Sequence, residues 1–210
     1  MKLRILILTV TLSFLSQNCT SQNKPSFSRD YIINLTNTLC KDNMHPDTLA
    51  NMQEMIWLAY SSPAKFDSKY RHVLHRHFGS VVDTVVNGTK YIIQSGAMSS
   101  WLSYNDDDTL FLMSLLDQFL SDYEFISYGD DLSGIEGAFH NLCLTKDIKL
   151  PVISQNDNWV SYLNKISNYL KTLNLCVLRE IDGFSLIVCR CDKSESIINQ
   201  MKIVNWNFKL

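Results

Sequence analysis

The chain has 210 residues, a hydrophobic fraction of 46%, an aromatic fraction of 11% and a net charge of −2. That is enough apolar material for one packed domain, or one domain with a helical preface. A mildly acidic chain without a long Lys/Arg cluster excludes phosphate neutralisation as its main business, so nucleic acid is not expected as a partner.

Lys2 and Arg4 precede the apolar run Ile5 to Leu15, the pattern of a secretory signal over residues 1–22. A run of eleven residues is too short to span a bilayer core of ~30 Å. Cys19 follows closely, as the lipidated cysteine does in bacterial lipoprotein signals, although Leu15 stands one place too early and Ser16, Gln17 and Asn18 fill the approach. The alternative is ordinary cleavage after Ser21 or Gln22. Either way the expectation is an exported protein: periplasmic, secreted, or held to a membrane only through an N-terminal lipid.

A polar linker at 23–27 leads into a helical region, 28–105, and then an α+β domain, 106–210, with 28–210 as one domain the alternative. Ser28 caps a helix through Lys41 with Ile32, Leu35 and Leu39 at helical spacing. Asp47 is the expected N-cap of a second helix carrying Leu49, Met52 and Ile56, and Pro63 opens a third with Phe66, Tyr70, Val73, Leu74, His77 and Phe78. Val81 to Val86 reads as helix or strand, with Asn87-Gly88 as a turn before Tyr91 to Gln94, and Gly96 to Tyr104 as a loop or short helix.

Asp106 to Asp108 precede Leu110 to Leu120, a nearly all-apolar helix expected deep in the core. Tyr123 to Tyr128 reads as a strand, Gly129 to Leu132 as a turn, and Ser133 with Glu136 as a capping box. Asp157 is the expected cap of a helix with Val160, Leu163, Ile166 and Leu170 on one face. A hairpin, Leu175 to Cys191, follows around Asp182-Gly183, the dipeptide that favours a type I′ turn. Ser194 caps a short helix, and Val204 to Phe208 is a last strand. Helices and a hairpin without βαβ alternation predict an α+β fold: a helical N-terminal part, then a small antiparallel sheet covered by helices.

From Leu110 onward, with L-L-D-Q-F-L-S-D-Y-E-F-I-S-Y at Leu115 to Tyr128 and the hairpin with its following helix, the chain resembles an uncharacterised bacterial domain-of-unknown-function family. The resemblance implies a fold and no mechanism.

A two-residue loop at Asp182-Gly183 would set Cys176 opposite Cys189 in a non-hydrogen-bonded pair, where Cβ atoms lie closest. Cys176–Cys189 is therefore the disulfide candidate, with two reduced core cysteines as the alternative and Cys191, on the same face, a competing partner. Cys189-x-Cys191 lacks the knuckle spacing of zinc sites. His72 and His75 share a helix face and could bind one metal ion, with Asp67 or His140 as a third ligand, but Arg71 and Arg76 flank them and the H-E-x-x-H glutamate is missing. A solvated basic stripe is the simpler reading.

Tyr128-Gly129-Asp130-Asp131 copies a tetrapeptide that holds magnesium in viral RNA polymerases, yet this chain is too short for one. It reads as an acidic turn, with Asp130 and Asp131 an interaction surface. Nucleophile-elbow and phosphate-loop motifs are absent from the sequence. The composite expectation is a binding domain without catalysis or cofactor, its partner a protein or an envelope component. The alternatives are a metal-dependent hydrolase using His72, His75 and carboxylates, and an immunity or inhibitor protein.

Overall fold

The structure is a computed structural model describing residues 26–70, the backbone of strands 81–86 and 89–94, and residues 107–210. The elements are α1 (Arg29–Cys40), α2 (Pro46–Ser61), α3 (Pro63–Tyr70), β1 (Val81–Val86), β2 (Thr89–Gln94), α4 (Asp108–Asp122), β3 (Ile126–Tyr128), α5 (Leu132–Asn141), α6 (Trp159–Thr172), β4 (Leu175–Glu180), β5 (Ser185–Arg190), α7 (Ser194–Ile203) and β6 (Phe208–Lys209). The fold is α+β, as expected.

Four strands form an antiparallel sheet in the order β3-β5-β4-β6. The hairpin is thus the centre of the sheet, and alternation along its strands divides the interior in two. Leu178, Ile187 and the cysteines face a core with α1, α2, α3, α4 and α7. Val177, Leu186 and Val188 face a second core with Ile135, Phe139, Tyr162, Leu163 and Ile166 of α5 and α6. Both faces are covered, which is why β5 is buried from Ser185 to Cys189.

Helix α4 is one of the helices that pack against the sheet. Phe111, Leu112, Leu115, Leu116, Phe119 and Leu120 recur at helical spacing and are fully buried. Asp107 caps the helix, accepting from the Thr109 N–H at 2.8 Å, and Asp108 follows in its first turn. Leu110 is the exception to the apolar run, being exposed.

The hairpin register is as expected, Cys176 opposite Cys189 and Leu178 opposite Ile187. The turn is not. Neither Asp182 nor Gly183 has a positive φ, so the type I′ conformation does not form. Residues 181–184 make a wider connection because Ile181 N–H is drawn to Asn207 O at 2.9 Å, alongside β6. Ile181 is exposed as a result.

Several caps move by one or two residues. His45, rather than Asp47, starts α2, and Asp47 lies in its first turn behind Pro46. Asp131 replaces Ser133 at the start of α5, its extended backbone aiming Oδ1 at Gly134 N–H at 2.6 Å. Asn158 replaces Asp157 at α6, forming a reciprocal capping box with Ser161, while Asp157 accepts from Ser154 N–H at 2.7 Å. Ser194 is the first residue of α7 and binds back to Cys191 O at 2.8 Å. The strand expected at Tyr123 to Tyr128 shrinks to three residues, since α4 runs to Asp122 and Glu124 turns the chain with φ 65°. The last strand shrinks to Phe208–Lys209. Val81–Val86 is a strand, paired with β2 in a separate two-stranded sheet.

Candidate functional site

One face of α4 is buried; the adjacent face is not. Met113, Ser114, Asp117 and Gln118 form a half-buried stripe that meets the tip end of the hairpin. Between this stripe and Glu180, Ser185 and Trp206 lies a cavity of about 310 Å³, within the size range of small-ligand sites.

Two carboxylates line it. Glu180, the last residue of β4, accepts at Oε2 from Ser185 N–H at 3.2 Å and from Ser185 Oγ–H at 2.5 Å, and at Oε1 from the Trp206 indole N–H at 3.0 Å. Asp117 accepts at Oδ1 from the Tyr128 hydroxyl at 2.5 Å. Burial holds the Asp117 carboxyl above the ordinary carboxylate value; the Tyr128 bond works against that and the Glu180 charge adds to it. Burial, followed by the Asp117 hydrogen bond, raises the Tyr128 hydroxyl, so it stays a donor at neutral pH although its ring is exposed. No lysine or arginine of the described residues pairs with either carboxylate.

The hairpin tip next in sequence to these residues exposes apolar side chains. Ile181 follows Glu180 and Phe184 precedes Ser185; they are 48% and 58% exposed, and Tyr128 is 46% exposed. Gly129 N–H donates to Phe184 O at 3.2 Å, which joins the β3 end to the hairpin tip. The arrangement therefore combines a concave acidic floor with the exposed Tyr128 ring, held to it through Asp117. It can hold a cation by charge and cover its hydrocarbon stem.

A second cavity of about 320 Å³ lies by Ser121, Glu124, Ser127, Tyr128 and Asn141. Its carboxylate, Glu124, is paired with Lys146 at 3.0 Å, which leaves it less suited to a cationic guest.

Asp130 and Asp131 follow Tyr128 through Gly129, both exposed. Asp131 is engaged as the α5 cap, and its carboxyl is held below the ordinary range by Gly134 N–H and Ser133. His72 and His75 lie outside the described residues, as does Cys19; His140 is exposed at the end of α5. Among the described residues no group of three or more His, Cys, Asp or Glu side chains is arranged to hold a metal ion, and no helix is long and apolar enough to cross a membrane.

The disulfide expectation needs correction. Cys176 is bonded to Cys191, and Cys189 is a buried free thiol. Register alone favoured the directly opposed residue. The chain leaves the β5 ladder after Arg190, and Cys191 N–H bonds to Asn174 O at 3.1 Å, which brings Cys191 diagonally onto Cys176.

Asp117, Glu180 and Trp206 went unrecognised as a site at the level of sequence. The one local signal was Asp117 itself, a charge inside the apolar run Leu110 to Leu120. No protein-family model matches the chain, and no curated protein or solved structure is significantly similar to it.

Proposed function

We propose that this chain is an exported binding domain, without catalysis of its own, whose acidic cavity receives a lysine or arginine side chain of a partner protein. The observation that carries the reading is the pair Asp117 and Glu180 in one cavity, free of any lysine or arginine of the described residues, with the exposed Tyr128 ring bonded to Asp117. A charge-assisted hydrogen bond to a half-buried carboxylate contributes about 1.5–3 kcal/mol. The Tyr128 ring would cover the methylene stem of the guest. Asp130 and Asp131 extend the negative surface beyond Tyr128.

The test is a titration with N-acetyl-lysine amide, followed by NMR at the Trp206 indole N–H. At ~0.3 kcal/mol per atom, a fragment of about 13 non-hydrogen atoms should bind near 1 mM. The expected result is a saturable shift that vanishes with the ε-acetylated, uncharged fragment and with Asp117→Asn. A Trp206 signal unmoved by either fragment, or moved equally by both, would reject the site.

Export rests on the basic and apolar pattern of residues 1–22. Intact mass measurement of the protein from its native source tests it: loss of the first 18 residues with acyl chains on Cys19, or loss of about 21–22 residues, is expected. A mature chain beginning at Met1 would refute it.

A further inference from the structure

Three cysteines share one face at the open end of the β4–β5 hairpin. Cys176 and Cys189 are directly opposed in the ladder and buried in one core, and Cys191 packs against the same core. Directly opposed residues in such a ladder have Cβ atoms about 4.5–5.5 Å apart, closest in non-hydrogen-bonded pairs, so a small approach brings them to the ~3.5–4.5 Å of a disulfide. Cys176 therefore has two partners within reach. One, Cys191, holds it; the other, Cys189, is a free thiol only 4% exposed.

We propose that the disulfide exchanges between these partners. The Cys189 thiolate attacks Sγ of Cys176, the Cys176–Cys189 bond forms as the Cys176–Cys191 bond breaks, and Cys191 departs as a thiolate that takes up the proton lost by Cys189. One disulfide and one thiol stand on each side of the step, so no oxidant or reductant is required.

The two isomers differ in what they expose and what they tie. Cys191 opens the turn Cys191–Lys193, in which Lys193 pairs with Asp42 beyond the end of α1 at 2.6 Å. The observed bond fastens this turn, and with it the start of α7, to β4. The exchanged bond lies inside the ladder, leaving the turn to non-covalent contacts. It also replaces a buried thiol at Cys189 with a half-exposed one at Cys191, open to alkylation or to mixed disulfides with outside thiols. Burial pushes the Cys189 thiol up to about 12, with Asp192 adding and Lys193 opposing, so exchange is slow at neutral pH and faster in alkali.

Trypsin separates the three sulfurs, because cleavage after Lys171, Arg179, Arg190 and Lys193 places Cys176, Cys189 and Cys191 on different fragments. Oxidised full-length protein is incubated natively with iodoacetamide at mildly alkaline pH, quenched in acid and digested. The expected result is growth of a joined 172–179/180–190 pair, with the label on fragment 191–193. Retention of the 172–179/191–193 pair, with the label on Cys189 or on neither, would overturn the proposal, as would protein that oxidises to no bond at Cys176. In Cys191→Ser the Cys176–Cys189 bond should form on oxidation; two free thiols there would also overturn it.

Discussion

The indole N–H of Trp206 donates to Glu180 Oε1 at 3.0 Å, across 26 residues of sequence, while the other oxygen of the same carboxylate binds both the backbone and the hydroxyl of Ser185. One side chain thus ties β4, β5 and the segment entering β6. Trp206 and Ser185 are 3% and 4% exposed, so their donors have little water to fall back on.

Glu180→Ala should therefore destabilise the fold by roughly 2–4 kcal/mol, because buried donors lose their acceptor. Glu180→Gln, which keeps one carbonyl oxygen, should lose less. Urea denaturation of both variants gives the comparison; equal midpoints for wild type and Glu180→Ala would refute the role assigned to this carboxylate.

Asp117 is expected to behave in the opposite sense. Its folded carboxyl is raised above the ordinary value of 3.8, chiefly by burial. The folded state then binds its proton more tightly than the unfolded state, so this group lowers stability above the raised value, and that loss is relieved as pH falls toward 3.8. Asp117→Asn should be more stable than wild type at neutral pH while losing lysine-fragment binding, and the stability gap should close in acid. A variant less stable than wild type at neutral pH would contradict the burial argument.

Two glycines make a matched pair of tests. A Cβ at Gly129 would stand 2.8 Å from Ile135 Cα and N and 2.9 Å from Gly134 C, all backbone atoms that cannot rotate aside. Gly129→Ala should cost about 1–3 kcal/mol. Gly137 lies inside α5 with open space around the added carbon, so Gly137→Ala should stabilise by about 0.5–1 kcal/mol. Thermal unfolding of the two variants should shift in opposite directions.

Tyr60 joins the N-terminal segment to α4. Its hydroxyl accepts from Phe27 N–H at 3.1 Å and donates to Asp108 Oδ2 at 2.5 Å, and Asp108 also accepts from Ser26 N–H at 2.9 Å. Tyr60→Phe should cost about 1–2 kcal/mol and speed hydrogen exchange at the Phe27 amide. Unchanged exchange there would show that the tether is not made in solution.

Legibility in the sequence followed the range of the interaction. α4 could be read from Phe111 to Leu120 because its apolar spacing is a local property, and the hairpin register because alternation in both strands agreed with a symmetric connection. Caps were harder. Asp157 and Asn158, or Asp131 and Ser133, offer chemically similar oxygens side by side, and backbone dihedrals select which one reaches an amide. The site was out of reach because Asp117, Tyr128, Glu180 and Trp206 come from four separate segments, none of which carries a motif.

An α+β chain with a central hairpin and an apolar helix beneath it is legible locally, since periodicity and burial demand act within each segment. Where the hairpin's chemistry lies depends on contacts between segments far apart in the chain. Ile181 turns outward because its amide is claimed by Asn207, and Glu180 turns inward to Ser185 and Trp206. Cys176 finds Cys191 rather than its ladder partner because the chain bends at Arg190. Those outcomes depend on directions and distances between elements, which a pattern along one chain does not contain.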